Sequence, residues 1–169
     1  VDFRLYLITD RHRCEDRGLA SVLQAACEAG VRAVQLREKD LSTRAFWDLA
    51  EEIYSLVEGI GGRLLINDRA DIAGPVGAFG VHLPENGMPV PAARKAMGGR
   101  GIVGVSVHDP EKARRAEGEG ADFVTYGPVF FTPSKAAYGE PVGLQNLETV
   151  TRLLSIPVFA IGGILPDRV

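Results

Sequence analysis

Asp122-Phe123-Val124-Thr125-Tyr126-Gly127-Pro128-Val129-Phe130-Phe131-Thr132-Pro133-Ser134-Lys135 reads as a buried strand that runs into a polar loop. The apolar run from Asp122 to Tyr126 has a strand's length, and Gly127-Pro128 ends it because proline has no amide hydrogen for a ladder bond. Thr132, Ser134 and Lys135 then offer two hydroxyls and an ammonium in quick succession, a composition suited to phosphate oxygens at the carboxyl end of a strand. Taken alone, the same segment also reads as a solvated turn.

The strand-then-polar-loop pattern recurs along the chain. Towards the amino terminus, Arg4 to Ile8 is a short strand closed by Thr9-Asp10, and Val31 to Leu36 is the next, followed at once by Arg37-Glu38-Lys39-Asp40. Arg63 to Ile66 leads into Asn67-Asp68-Arg69, Phe79 to Leu83 contains His82, and Ile102 to Val105 leads into Ser106-Val107-His108. Towards the carboxyl terminus, Pro157 to Ile161 precedes Gly162-Gly163. Helical periodicity fills the gaps: Gly18 to Ala29 closed by Gly30, a helix begun by Ser42 with Phe46, Leu49, Ile53 and Leu56 on one face, Pro110 to Glu119, and Leu144 to Leu154. A short helix is expected near Ala70 to Gly74, and a short basic one after the Pro84 to Pro91 loop.

Strands that alternate with helices call for a parallel sheet covered on both faces. An open doubly wound sheet would carry a GxGxxG after its first strand and gather polar residues at one switch point. This chain has no such motif and has polar residues after almost every strand, which favours a (β/α)₈ barrel. A barrel usually needs at least about 200 residues. The 169 residues here are therefore expected to form a single barrel domain, residues 1–169, that lacks the eighth strand and final helices.

Composition narrows the function classes. With 46% hydrophobic residues the chain can bury a core, and a formal charge of −3 gives no general pull toward nucleic acid or an anionic membrane. No apolar run approaches the roughly 20 residues of a membrane span, and no signal peptide is visible, so a cytoplasmic protein is expected. Cys14 and Cys27 form no CxxC motif and read as reduced thiols, Cys27 in the core.

In a barrel, the residues just after each strand converge on one mouth. Collected, they are Gln35, Arg37 and Lys39; Asn67 and Asp68; His82; Ser106 and His108; Thr132, Ser134 and Lys135; and Gly162 with Gly163. Arg37 can grip phosphate bidentately, while Lys39 and Lys135 supply point charges. Three cations with Asp68 as a metal ligand suit a diphosphate carrying Mg²⁺, and Gly162-Gly163 allows close backbone approach to a phosphate. Each element has a plainer alternative: a solvated charge run at 37–40, structural histidines, and Asp68 as a helix cap.

Six collinear motifs resemble the thiamin phosphate synthase and TenI family: Gln35-Leu36-Arg37-Glu38-Lys39, Ile66-Asn67-Asp68, Gly80-Val81-His82, Gly104 to His108, Tyr126 to Phe130 with Thr132 to Lys135, and Ala160 to Ile164. The resemblance implies a (β/α)₈ barrel that joins 4-amino-5-hydroxymethyl-2-methylpyrimidine diphosphate to 4-methyl-5-(2-hydroxyethyl)thiazole phosphate with release of diphosphate. It implies that Arg37, Lys39, Asn67 and Lys135 hold the diphosphate and Asp68 the Mg²⁺. Gln35 and Ser106 would contact the pyrimidine or leaving group, and Thr132, Gly162 and Gly163 the thiazole phosphate. The expected partners are these small phosphorylated substrates, with no nucleic acid and no membrane; a homo-oligomer is compatible with the sequence.

The chain departs from the family at one loop. Where the synthases typically read His-x-Gly-Gln-x-Asp, it has His82-Leu83-Pro84-Glu85-Asn86-Gly87. Gly87 replaces a metal carboxylate, with Glu85 near enough in sequence to substitute. The Pro84 variant looks more like the TenI branch, whose thiazole tautomerases need no Mg²⁺ and move a proton; His108 matches their histidine. A non-catalytic binder of thiamin phosphate is a third expectation.

Overall fold

The computed structural model describes residues 1–133, 140–165 and 168. In chain order the described elements are β1 (Tyr6–Ile8), α1 (Leu19–Glu28), β2 (Ala33–Leu36), α2 (Thr43–Gly59), β3 (Arg63–Asn67), α3 (Ala70–Val76), β4 (Gly80–Leu83), α4 (Val90–Ala96), β5 (Ile102–Val107), α5 (Pro110–Gly118), β6 (Phe123–Tyr126), α6 (Gly143–Leu153) and β7 (Val158–Ala160). The alternation expected from the sequence is present throughout. None of the described helices is long and apolar enough to cross a membrane.

The chain divides into two compact units. One comprises Asp2–His82 and Ala92–Ile102, the other Leu83–Pro91 and Val103–Val169 with Val1. In the first unit β1, β2, β3 and β4 pair in that order and all parallel, with Val34 opposite Leu64 and Ile66 opposite Val81. In the second, β5, β6 and β7 pair in order and parallel, with Val105 opposite Val124 and Thr125 opposite Phe159. Neither order reverses, so neither unit contains the switch point of a doubly wound sheet.

Strands β2, β4 and β6 are buried at every residue, as parallel strands covered on both faces must be. Helix α2 begins where Ser42 accepts a hydrogen bond from the Ala45 amide at 3.3 Å, an N-cap satisfying one orphan donor. Its buried stripe is Phe46, Ala50, Ile53 and Val57. Leu49 and Leu56, expected on that face, lie half-buried at its edge, because a 3.6-residue period advances the stripe by four, three and four residues. Helix α5 starts with Pro110 behind the N-cap Asp109, whose carboxylate accepts from the Lys112 amide at 2.9 Å. Cys14 and Cys27 are buried free thiols.

Candidate active site

In the first unit the expected residues stand at the carboxyl ends of paired strands. Leu36 lies opposite Ile66 and Asn67 opposite His82, so the register sets Arg37, Asn67 and His82 side by side. Gln35 is buried, and its amide donates to the Tyr6 hydroxyl at 3.1 Å. Arg37 is half-buried and Lys39 exposed. Between them Glu38 is only 5% exposed, which corrects the reading of 37–40 as a solvated charge run. The Glu38 carboxylate accepts from the Thr9 hydroxyl at 2.6 Å and from the Arg11 guanidinium at 3.1 Å.

Asp68 is exposed and sits in the left-handed region with φ of 63°, its amide donating to the His82 carbonyl at 2.8 Å. It does not cap the following helix: Arg69 occupies that position and makes no side-chain cap bond. A non-glycine residue held in this conformation is uncommon, and such positions concentrate at functional sites. His82 is 2% exposed, with its ring 5.7 Å from that of Tyr6. Burial, with a smaller contribution from the Arg37 charge, pushes its pKa down to about 3, so the imidazole is neutral at pH 7. Burial likewise pushes the Tyr6 phenol well above its usual value.

The second unit assembles the other strand ends. The Ser106 hydroxyl accepts from Thr125 at 3.2 Å. His108 is exposed, and its Nδ1 is hydrogen-bonded to the Gly127 carbonyl. The loop after β6 is laced to the loop after β7: the Val129 amide donates to the Ile161 carbonyl at 2.8 Å and the Phe130 amide to the Gly162 carbonyl at 3.0 Å. Gly162 and Gly163 have φ of 97° and 64°. A Cβ at 162 would lie 2.5 Å from Pro128, and one at 163 would lie 2.6 Å from the Phe131 carbonyl oxygen. Both glycines are thus required by the approach of these two loops, and half-buried Thr132 directly follows Phe131 in sequence. Ser134 and Lys135 lie outside the described residues.

Glu85 holds its two carboxylate oxygens differently: Oε2 is buried with no hydrogen-bond partner among the described residues. Its Oε1 pairs with the Lys112 ammonium at 2.5 Å, and it lines a cavity of about 340 Å³ with Val105, Val107 and helix α5. Gly87 closes a turn by donating its amide to the Pro84 carbonyl at 2.9 Å. A Cβ there would be 2.8 Å from the Pro84 ring, so proline at 84 and the absence of a carboxylate at 87 go together. Among the described residues no three His, Cys, Asp or Glu side chains are grouped to hold a metal ion.

Thr9 and Arg11 join the site although the sequence marks Thr9-Asp10 only as the polar end of the first strand. The usable signal was the polar Thr9-Asp10-Arg11 directly behind an apolar strand.

Residues 5–169 match the TMP-TENI family, described as thiamine monophosphate synthase. The chain is 55% identical to a putative thiamine-phosphate synthase of Geobacter sulfurreducens, over 97% of the chain and 77% of that protein. It is 43% identical to the thiamine-phosphate synthase of Clostridium novyi, over 97% of the chain and 80% of that protein. Thiamine phosphate pyrophosphorylase from Pyrococcus furiosus superposes with a TM-score of 0.86 at 34% identity, covering 97% of this chain and 77% of that one. With a parallel strand order, a TIM-like α/β fold and relatives of this closeness, the chain belongs to the thiamine monophosphate synthase family and is an enzyme of that kind.

Proposed function

We propose that the chain forms thiamin phosphate from 4-amino-5-hydroxymethyl-2-methylpyrimidine diphosphate and 4-methyl-5-(2-hydroxyethyl)thiazole phosphate. The carrying observation is the loop after β2, where a buried Glu38 separates half-buried Arg37 from exposed Lys39, one strand away from the exposed, left-handed Asp68. Two cations beside one carboxylate suit a diphosphate with a divalent ion better than a lone phosphate.

Asp68 fits such an ion: Mg²⁺ commonly takes only one or two carboxylates and fills its other positions with phosphate oxygens and water. When bound, Mg²⁺ would neutralise charge on the diphosphate. Arg37, Lys39 and Asn67 hold the diphosphate oxygens, with Lys135 as a further cation. Their charge stabilises the leaving group as the carbon–oxygen bond breaks and its electron pair departs with diphosphate. The thiazole nitrogen then donates its lone pair to the pyrimidine methylene carbon. Gln35, His82 and Ser106 contact the pyrimidine, and Thr132, Ser134, Gly162 and Gly163 receive the thiazole phosphate. No covalent nucleophile is needed.

Full-length protein supplied with both substrates and Mg²⁺ should release diphosphate and form thiamin phosphate in equal amounts, and Lys39→Ala should abolish most of that turnover. Wild-type protein that forms no thiamin phosphate would sink this reading. One observation favours a second reading: His108 is oriented by the Gly127 carbonyl, as a proton-transferring histidine would be. Aromatisation of the thiazole carboxylate phosphate, dependent on His108 and indifferent to Mg²⁺, would make the chain a TenI-type tautomerase.

A further inference from the structure

The loop after β2 turns its acid inward. Burying a carboxylate is costly unless its lone pairs are filled, and the donors that fill those of Glu38 come from one short segment behind β1. The Thr9 hydroxyl donates to Oε1 at 2.6 Å, the Arg11 amide at 3.1 Å, and the Arg11 guanidinium to Oε2 at 3.1 Å.

The same segment grips the loop on both sides of Glu38. The Thr9 amide donates to the Gln35 carbonyl at 3.0 Å, the Thr9 hydroxyl accepts from the Arg37 amide at 2.9 Å, and Arg11 forms a two-pronged pair with Asp40 at 2.5 Å. The backbone from Gln35 to Asp40 is therefore pinned before, at and after the two cations. Among the described residues no hydrogen bond or ion pair engages the Arg37 or Lys39 side chains.

We infer that Glu38, acting through Thr9 and Arg11, is a positioning residue for the anion grip: it sets the placement of Arg37 and Lys39 for a diphosphate that it does not itself touch. The inference rests on the diphosphate reading above. It has a consequence opposite in sign to simple electrostatics. A negative charge next to two cations weakens anion binding through space, so Glu38→Gln should tighten binding if charge alone mattered. If position matters, the amide cannot accept from all the donors, the loop shifts, and binding weakens.

The experiment titrates inorganic pyrophosphate into full-length wild type, Glu38→Gln, Thr9→Val and Thr9→Ser by calorimetry, with circular dichroism and thermal unfolding to confirm folding, and measures KM for each substrate. Glu38→Gln and Thr9→Val are expected to bind pyrophosphate roughly tenfold or more weakly and to raise KM for the pyrimidine diphosphate. Thr9→Ser, which keeps the hydroxyl, should stay within about twofold of wild type, and KM for thiazole phosphate should stay within about twofold in every variant. Unchanged or tighter pyrophosphate binding in Glu38→Gln overturns the inference, as does equal weakening by Thr9→Ser and Thr9→Val, or a wild type that binds no pyrophosphate. Should Glu38→Gln fail to fold, the Thr9 pair decides. Pyrophosphate binding that depends on Glu38 in a protein making no thiamin phosphate would leave the inference standing and remove the synthase reading.

Discussion

The His108 imidazole is fixed through Nδ1 to the carbonyl of Gly127, at the end of β6. A carbonyl oxygen only accepts, so Nδ1 carries a proton and Nε2 is the ring nitrogen left for proton transfer. In a synthase, where charge stabilisation does the chemistry, this base is dispensable. Thiamin phosphate formation by His108→Ala is expected to stay within about tenfold of wild type, whereas a general base contributes roughly 10²–10⁴-fold. Steady-state kcat/KM of the variant on the two substrates makes the comparison, and a loss of the larger size would assign His108 to proton transfer.

Pro84 and Gly87 form a coupled pair, since a Cβ at 87 would meet the proline ring at 2.8 Å. Gly87→Asp alone is expected to lower stability by about 1–3 kcal/mol, the usual cost of forced overpacking, and to leave the response to the proposed Mg²⁺ unchanged. Pro84→Gly combined with Gly87→Asp should recover that stability and lower the Mg²⁺ concentration for half-maximal turnover. Urea unfolding and a Mg²⁺ titration of both variants read the two effects separately.

His82 links stability to pH. Its folded pKa of about 3 lies below the ordinary 6.5, so the unfolded chain takes up a proton that the folded one refuses. The neutral ring's contribution is present above about pH 6.5 and is lost as pH falls toward 3. Relative to His82→Asn, wild type should lose about 2 kcal/mol of stability between pH 7 and pH 5. Urea midpoints for both proteins across that range test this, and parallel curves would contradict it.

Gly104 on β5 faces the ring of fully buried Phe123 on β6; a Cβ there would lie 2.2 Å from the ring, which also meets Phe159 edge-on at 5.4 Å. Gly104→Ala should therefore destabilise by about 1–3 kcal/mol, and Gly104→Ala with Phe123→Leu should cost less than the sum of the two single changes. Thermal unfolding of the three variants shows whether the cycle closes this way.

The strand and helix alternation was legible because its signals are local. Apolar runs ended by Gly127-Pro128 or Thr9-Asp10, the Ser42 cap and the helical period of Phe46 and Ile53 all act over a few residues. The polar positions after each strand were legible for the same reason: once strands are parallel, their carboxyl ends share one side.

Only the tertiary structure decided what those positions do. In Arg37-Glu38-Lys39-Asp40 the sequence marks Arg37 and Lys39 as phosphate grips, with a solvated charge run as the alternative, yet Glu38 is buried because donors 27 and 29 residues away in sequence reach it. Glu85 is near enough in sequence to Gly87 to stand in for a carboxylate, and only the structure shows its Oε1 paired with Lys112, 27 residues further on. Asp68 read as a helix cap or a metal ligand, and its left-handed backbone with an amide bonded to the His82 carbonyl excludes the cap. Local periodicity determines where a strand ends. The burial, pairing and orientation of the charges beyond that end depend on which donors and acceptors distant strands bring beside them, because a charge leaves water only where its hydrogen bonds are replaced.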